Sequence, residues 1–160
     1  MRILAVAELY PWPAIDGYRQ RLEHMLAGLA RAGTVDLFAL APADADLDSP
    51  PKSAAIETLV TAPTVMRSSS DWMKQWVRSE RPRRMLGIDW TEARRELAAW
   101  GPEPDVVWYS LLDTWMAVGD LFPNAGAVVD FDNLENIHMR LRRRQPPQFA
   151  PGSAATEKVR

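Results

Sequence analysis

Ile3-Leu4-Ala5-Val6-Ala7 carries no polar side chain on either of the two faces that a strand presents. Successive residues of a strand point to opposite sides, so a run apolar at every position is satisfied only where both sides are covered. That condition is met inside a parallel sheet sandwiched between helices, and it disfavours the one-sided alternation of a half-exposed antiparallel sheet. Arg2 precedes the run and Glu8 closes it. The stretch is shorter than a secretory signal core and far below the roughly 20 apolar residues of a bilayer span.

How this strand continues narrows the fold. Pro11-Trp12-Pro13-Ala14-Ile15-Asp16-Gly17-Tyr18 reads as a loop, and Tyr18, Leu22, Met25, Leu26 and Leu29 then recur at helical spacing. Gln20, Glu23, His24 and Arg31 fall on the other faces of that helix, and Gly33 stands where a helix stop belongs. Residues 35–40 make a second apolar strand and complete a strand-helix-strand unit, whose crossover is right-handed and whose strands are parallel neighbours. The pattern predicts further strands at 58–61, 104–109 and 127–131, and helices at 71–77, 91–100, 113–121 and 134–144. Ser70 or Asp71 caps the first of these helices, and Pro146-Pro147 ends the last. Alternating strands and helices imply a doubly wound α/β fold with a mainly parallel sheet. Residues 1–144 form one domain, and 145–160, rich in Pro, Ala and Ser, a linker or frayed tail.

Several function classes fall away on composition. A net charge of −2 disfavours a general nucleic-acid binder, which needs a basic surface. The absence of cysteine removes disulfides, thiolate nucleophiles and cysteine zinc sites, and His24 and His138 are a thin basis for metal binding. Asp44, Asp46 and Asp48 alternate as in a calcium loop but lack its glycine and closing glutamate. No closely spaced glycines follow the first strand, no Gly-Lys-Ser/Thr appears, and Ser110 has no glycine neighbour of a nucleophile elbow. A self-contained cofactor enzyme is disfavoured, and a soluble cytoplasmic protein is the expectation.

Open α/β sheets bind ligands beyond the carboxyl ends of their strands, which selects the candidate site. Gly17 would let a ligand approach the backbone, with the amides of Tyr18 and Arg19 directed at it. Arg19 and Arg21 offer forked donors to phosphate or carboxylate, and Asp16 stands beside them. Ser110 closes the fourth predicted strand. Asp130, Asp132, Asn133 and Glu135 gather at the mouth of the fifth, where Asp130 would orient an acceptor hydroxyl or serve as base. Asp132 and Asn133 are equally suited to cap the following helix, with Glu135 in its first turn. The site requires the first and fifth strands to end side by side.

In order, these segments resemble the amino-terminal domain of GT-B glycosyltransferases, most closely the retaining group 1 or family 4 branch. The resemblance rests on Ile3-Leu4-Ala5-Val6, Pro11-Trp12-Pro13, Gly17, Arg19, Arg21, Leu26, Leu29, Ala30, Gly33 and Val35, then on Pro104-Asp105-Val106-Val107 and Val128-Val129-Asp130-Phe131-Asp132-Asn133-Leu134-Glu135. It covers residues 2–42 and 104–144. Two departures stand out: Asp16 replaces the first glycine of a pair found in many relatives, and no histidine stands at Ser110. The resemblance implies sugar transfer from a nucleotide-sugar to a hydroxyl acceptor, whether carbohydrate, lipid-linked or small molecule. It assigns acceptor binding to this domain and the donor to a second domain or subunit, with no resident cofactor or metal, so the isolated domain would not turn over. The alternative is a non-catalytic Rossmann-like binding or regulatory module, or a subunit of a split transferase.

Two further clusters have bland and functional readings. Trp72, Met73 and Trp76, near Arg78, Arg81, Arg83 and Arg84, suit either a packing helix with a charged loop or peripheral contact with an anionic membrane face. Arg140, Arg142, Arg143 and Arg144 suit a solvated helix end or, in a longer chain, a face turned to an inter-domain cleft. His24 and His138 read as surface residues.

Overall fold

A computed structural model describes residues 1–43, 47, 50–51, 55–78 and 87–130, with the side chains of Gln75, Trp76 and Arg78 outside the description. The chain divides into Met1–Asp130 and Phe131–Arg160, and only the first unit falls within the described residues. Asp132, Asn133, Glu135, His138, the helix expected at 134–144, the tail at 145–160, and the aspartates at 44, 46 and 48 therefore lie outside them. So do the arginines at 81, 83, 84 and 140 to 144.

Five parallel strands form the sheet: β1 (Arg2–Ala7), β2 (Thr34–Ala41), β3 (Ile56–Pro63), β6 (Val106–Tyr109) and β7 (Gly126–Val129). Their order is β3-β2-β1-β6-β7. The strand that is apolar at every position is thus the central one, with Ile3 to Ala7 at most 1% exposed. The helices are α1 (Gly17–Leu29), α2 (Ser69–Arg78), α3 (Thr91–Ala98) and α4 (Leu112–Val118), the last continued by a 3-10 turn at Gly119–Leu121. This is a doubly wound, Rossmann-like α/β architecture.

Strand alternation divides β1 between two cores. Ile3, Ala5 and Ala7 face Leu22 and Leu26 of α1, together with Val35, Leu37, Ala39 and Trp108. Leu4 and Val6 face the other way, toward Ala93 and Leu97 of α3, Val118 of α4, Phe38, Leu40 and Tyr109. Burying each of Leu22 and Leu26 contributes about 2 kcal/mol. Asp36 interrupts β2 with a carboxylate only 1% exposed, and Arg2 meets it through Nε at 2.6 Å and Nη2 at 3.1 Å. Arg94 of α3 grips both oxygens of Asp120 at 2.7 Å, fixing α3 to the turn after α4.

Four expectations need correction. The ends of the first and fifth predicted strands, now β1 and β7, are not neighbours, because β6 pairs with both and lies between them. α1 ends at Leu29 before reaching Gly33, and Gly33 serves close approach instead: a Cβ there would run into the Met1 carbonyl, which accepts from the Thr34 amide. Ser68, not Ser70 or Asp71, caps α2 through its hydroxyl on the Asp71 amide. A two-stranded antiparallel pair, β4 (Val65–Met66) with β5 (Ile88–Asp89), was not predicted. Its two-residue strands are too short to show a period.

Candidate functional site

The connections after β1 and β6 leave adjacent parallel strands for opposite faces of the sheet, since α1 packs on one core and α4 on the other. Such a divergence opens a crevice at the carboxyl edge, the switch point at which doubly wound folds take ligands. Glu8 and Ser110 are the first residues past the two strands.

The loop between β1 and α1 is anchored from below. Tyr10, Pro11 and Trp12 are buried, Tyr10 and Trp12 stack edge to face at 5.5 Å, and the Trp12 indole donates to Glu23 on α1 at 3.3 Å. The Trp12-Pro13 peptide bond is cis. The loop tryptophan is therefore packing, not binding surface.

Asp16 is the N-cap of α1. In an extended conformation it accepts the Arg19 amide on Oδ1 at 2.9 Å and the Arg19 Nη1 on Oδ2 at 2.7 Å. Arg19 Nε also donates to the Tyr10 carbonyl at 3.3 Å. The Arg19 amide, joined by its guanidinium and the Tyr18 amide, holds the Asp16 carboxyl below its ordinary value. Arg19 and both amides expected to face a ligand thus face Asp16. Gly17 is exposed, and a Cβ there meets no atom within 4 Å.

Tyr18 lies half-buried, with its hydroxyl donating to Ser110 Oγ at 3.3 Å. Burial pushes its phenol up to about 12, the Glu8 and Asp130 charges push the same way, and Ser110 and Arg21 oppose them. Ser110 is 1% exposed, too deep to touch a ligand, and its hydroxyl also accepts the Glu8 amide at 3.4 Å. It positions Tyr18. Asp130 extends the β7 ladder through its amide on the Tyr109 carbonyl, and its Oδ1 accepts Arg21 Nη2 at 2.6 Å. No described group donates to Oδ2.

Of the predicted residues, the structure brings Tyr18, Ser110 and Asp130 together, sets Asp16, Gly17 and Arg19 at the adjoining rim, and says nothing of Asp132, Asn133 or Glu135. Arg21 and Glu8 belong to the cluster and were undervalued from sequence. Arg21 stands three residues after Tyr18, on the same helix face, and Glu8 is the first charge beyond β1. His24 is exposed, as expected.

Past the carboxyl end of β3, a cleft of about 540 Å³ opens between β4, β5 and α2. Its cations rest on its own carboxylates, Arg67 on Asp89 at 3.4 Å and Lys74 on Asp71 at 3.5 Å. Met73 beside it is exposed. Among the described residues no cluster of three metal-ligating side chains occurs, and no helix is long and apolar enough to cross a membrane. Compared with family models, curated proteins and solved structures, the chain matches none.

Proposed function

We propose that this domain is the acceptor-binding half of a GT-B glycosyltransferase acting on a hydroxyl acceptor. The observation that carries the reading is the convergence of Tyr18, Arg21 and Asp130 at the switch point between β1 and β6. These groups suit a hydroxyl. Arg21 fixes Asp130 through Oδ1 and leaves Oδ2 to accept the hydrogen bond of an incoming hydroxyl, which orients its oxygen for attack on a sugar carbon. Tyr18, kept protonated by burial and donating its proton to Ser110, is not a base, and its oxygen is left to accept. The nucleotide-sugar donor belongs to a second domain or subunit in this reading, and the reaction belongs to the cytoplasm, with any membrane contact peripheral.

Titration of the chain with neutral sugars and with nucleotide-sugars tests the reading. Sugar binding that perturbs the amides of Tyr18, Ser110 and Asp130, without comparable nucleotide binding, is the expected result. Tight nucleotide binding at this edge, or sugar binding elsewhere, would sink it.

A further inference from the structure

Thr64 donates its amide to the Ala41 carbonyl at 2.7 Å, which ties the chain leaving β3 to the end of β2. β4 and β5 then pair at Val65 and Asp89, and the Arg67 amide on the Gly87 carbonyl carries the pair almost to α2. The cleft of about 540 Å³ bounded by these elements therefore lies at the carboxyl edge of the sheet and has the size of a small-molecule site. Its charges balance, Arg67 and Lys74 against Asp71 and Asp89. Both ion pairs are loose. At 3.4 and 3.5 Å they exceed the roughly 2.7–2.9 Å of a charge-assisted hydrogen bond, and hydroxyls hold the carboxylates instead. Ser68 Oγ donates to Asp71 Oδ2 at 2.7 Å, and Thr91 donates to Asp89 Oδ1 through Oγ1 at 2.7 Å and its amide at 3.1 Å. Each hydroxyl, ahead of the neighbouring cation, keeps its carboxyl below the ordinary value. The Arg67 side chain is only 18% exposed, and among the described residues its guanidinium has no partner besides Asp89, so most of its N–H donors stand unused.

We propose that this cleft binds a zwitterion with an apolar body, an α-amino acid with free amino and carboxyl groups, its carboxylate on Arg67 and its ammonium on Asp89. Arg67 and Asp89 stand side by side, as the two charges of an α-amino acid do. A ligand of one sign would meet two like charges among the four in the lining, whereas a ligand of both signs sets each charge against its opposite. Arg67 can turn to a ligand carboxylate without orphaning Asp89, because Thr91 keeps that carboxylate bonded. Among the described residues no group donates to Asp89 Oδ2, and an ammonium supplies the donor it lacks. Val65, 44% exposed, and Met66, 67% exposed, also line the cleft and offer apolar surface to the ligand side chain. None of these residues is among those proposed to hold the hydroxyl, so the two sites stand or fall separately.

Leucine, N-acetylleucine and leucinamide serve as probes: the first carries both charges, the second only the carboxylate, the third only the ammonium. The isotopically labelled chain is titrated with each at neutral pH and constant ionic strength, and the amides of Arg67, Asp71 and Asp89 are followed by NMR. Leucine should perturb them and bind roughly tenfold or more tightly than either blocked form, as the loss of one charged hydrogen bond requires. Arg67→Gln should bring leucine to the level of leucinamide. Asp89→Asn, which keeps an oxygen for Thr91, should bring it to the level of N-acetylleucine, and unfolding curves check that both variants fold. The comparison of the three probes on wild type decides the matter even where a variant does not fold. Leucine that leaves these amides unmoved, equal binding of all three probes, or N-acetylleucine binding more tightly than leucine overturns the assignment, the last by making the cleft a plain anion site. Shifts confined to Tyr18, Ser110 and Asp130 overturn it as well.

Discussion

Arg21 Nη2 lies 2.6 Å from Asp130 Oδ1, joining α1 to the end of β7 across 109 residues of sequence. β1, which leads into α1, and β7 are held apart by β6, so a long side chain supplies the contact that the sheet order denies. The arginine side chain is 37% exposed and the aspartate 14%. Solvent screens much of such a pair, and Arg21→Gln should lower stability by about 1 kcal/mol. Hydroxyl-ligand affinity should fall by at least tenfold in the proposed function, because Asp130 loses its orientation. Urea unfolding and ligand titration on the same protein separate the two effects, and a stability loss with unchanged affinity would leave the pair a structural brace.

Arg2 and Asp36 set a different balance. Asp36 is buried, and removing its partner leaves a charge without compensation inside the sheet. Arg2→Met should cost about 3 kcal/mol, at the low end for a buried pair because the arginine is a third exposed. Arg2→Met combined with Asp36→Leu should recover much of the loss, since two apolar side chains need no partner there. Unfolding curves of the single and double variants check this. A double variant no more stable than the single would mean that Asp36 holds the strand by more than its ion pair.

Thr114 is fully buried on α4, and among the described residues its Oγ1 has no hydrogen-bond partner. A buried hydroxyl without a partner costs the free energy of the hydrogen bonds it made to water. Thr114→Val keeps the shape and removes that cost, so stability should rise by about 1 kcal/mol. Thermal and urea unfolding read it directly, and a destabilised variant would show that the hydroxyl is satisfied in solution.

The sheet and the helices flanking it were legible because they rest on periodicity, which a single sequence displays. Central β1, apolar at every position, announced its burial on both faces. Edge strand β3 was read as 58–61 yet spans Ile56–Pro63, because Glu57 and Thr58 face solvent and blur the pattern. The site was legible only in part. Tyr18, Ser110 and Asp130 follow from a rule about strand ends, whereas Asp16 folding back on the α1 amides depends on a backbone turn that residue types leave open. The same holds for Arg21, whose partner stands in a strand that no local spacing relates to it.

Burial raises the Tyr18 phenol from 10.0 to about 12, and Tyr109 likewise, with the Asp120 charge adding to burial at Tyr109. A raised acid favours its neutral form in the folded state. Below about pH 10 both states are protonated and this stability is fully present; between 10 and 12 the unfolded chain releases protons that the folded one retains. Stability should therefore fall as pH rises through that window. Tyr18→Phe should make the fall shallower by about one proton, read as the slope of unfolding free energy against pH. An unchanged slope would place Tyr18 in water.

Gly17 and Gly33 should answer substitution in opposite ways. At Gly33 a Cβ meets the Met1 carbonyl, backbone that cannot swing aside, so Gly33→Ala must push β1 and β2 apart at their starts and should cost about 2 kcal/mol. At Gly17 the same Cβ enters open space in the first turn of α1, and Gly17→Ala should fold as well or gain about 0.5 kcal/mol through a less flexible unfolded chain. A bulky Gly17→Leu should keep that stability and yet weaken binding of a hydroxyl ligand, because the side chain stands where the ligand approaches. Paired unfolding and titration curves distinguish the cases. Full binding by Gly17→Leu would move the ligand away from the α1 rim, whatever the fate of Asp130.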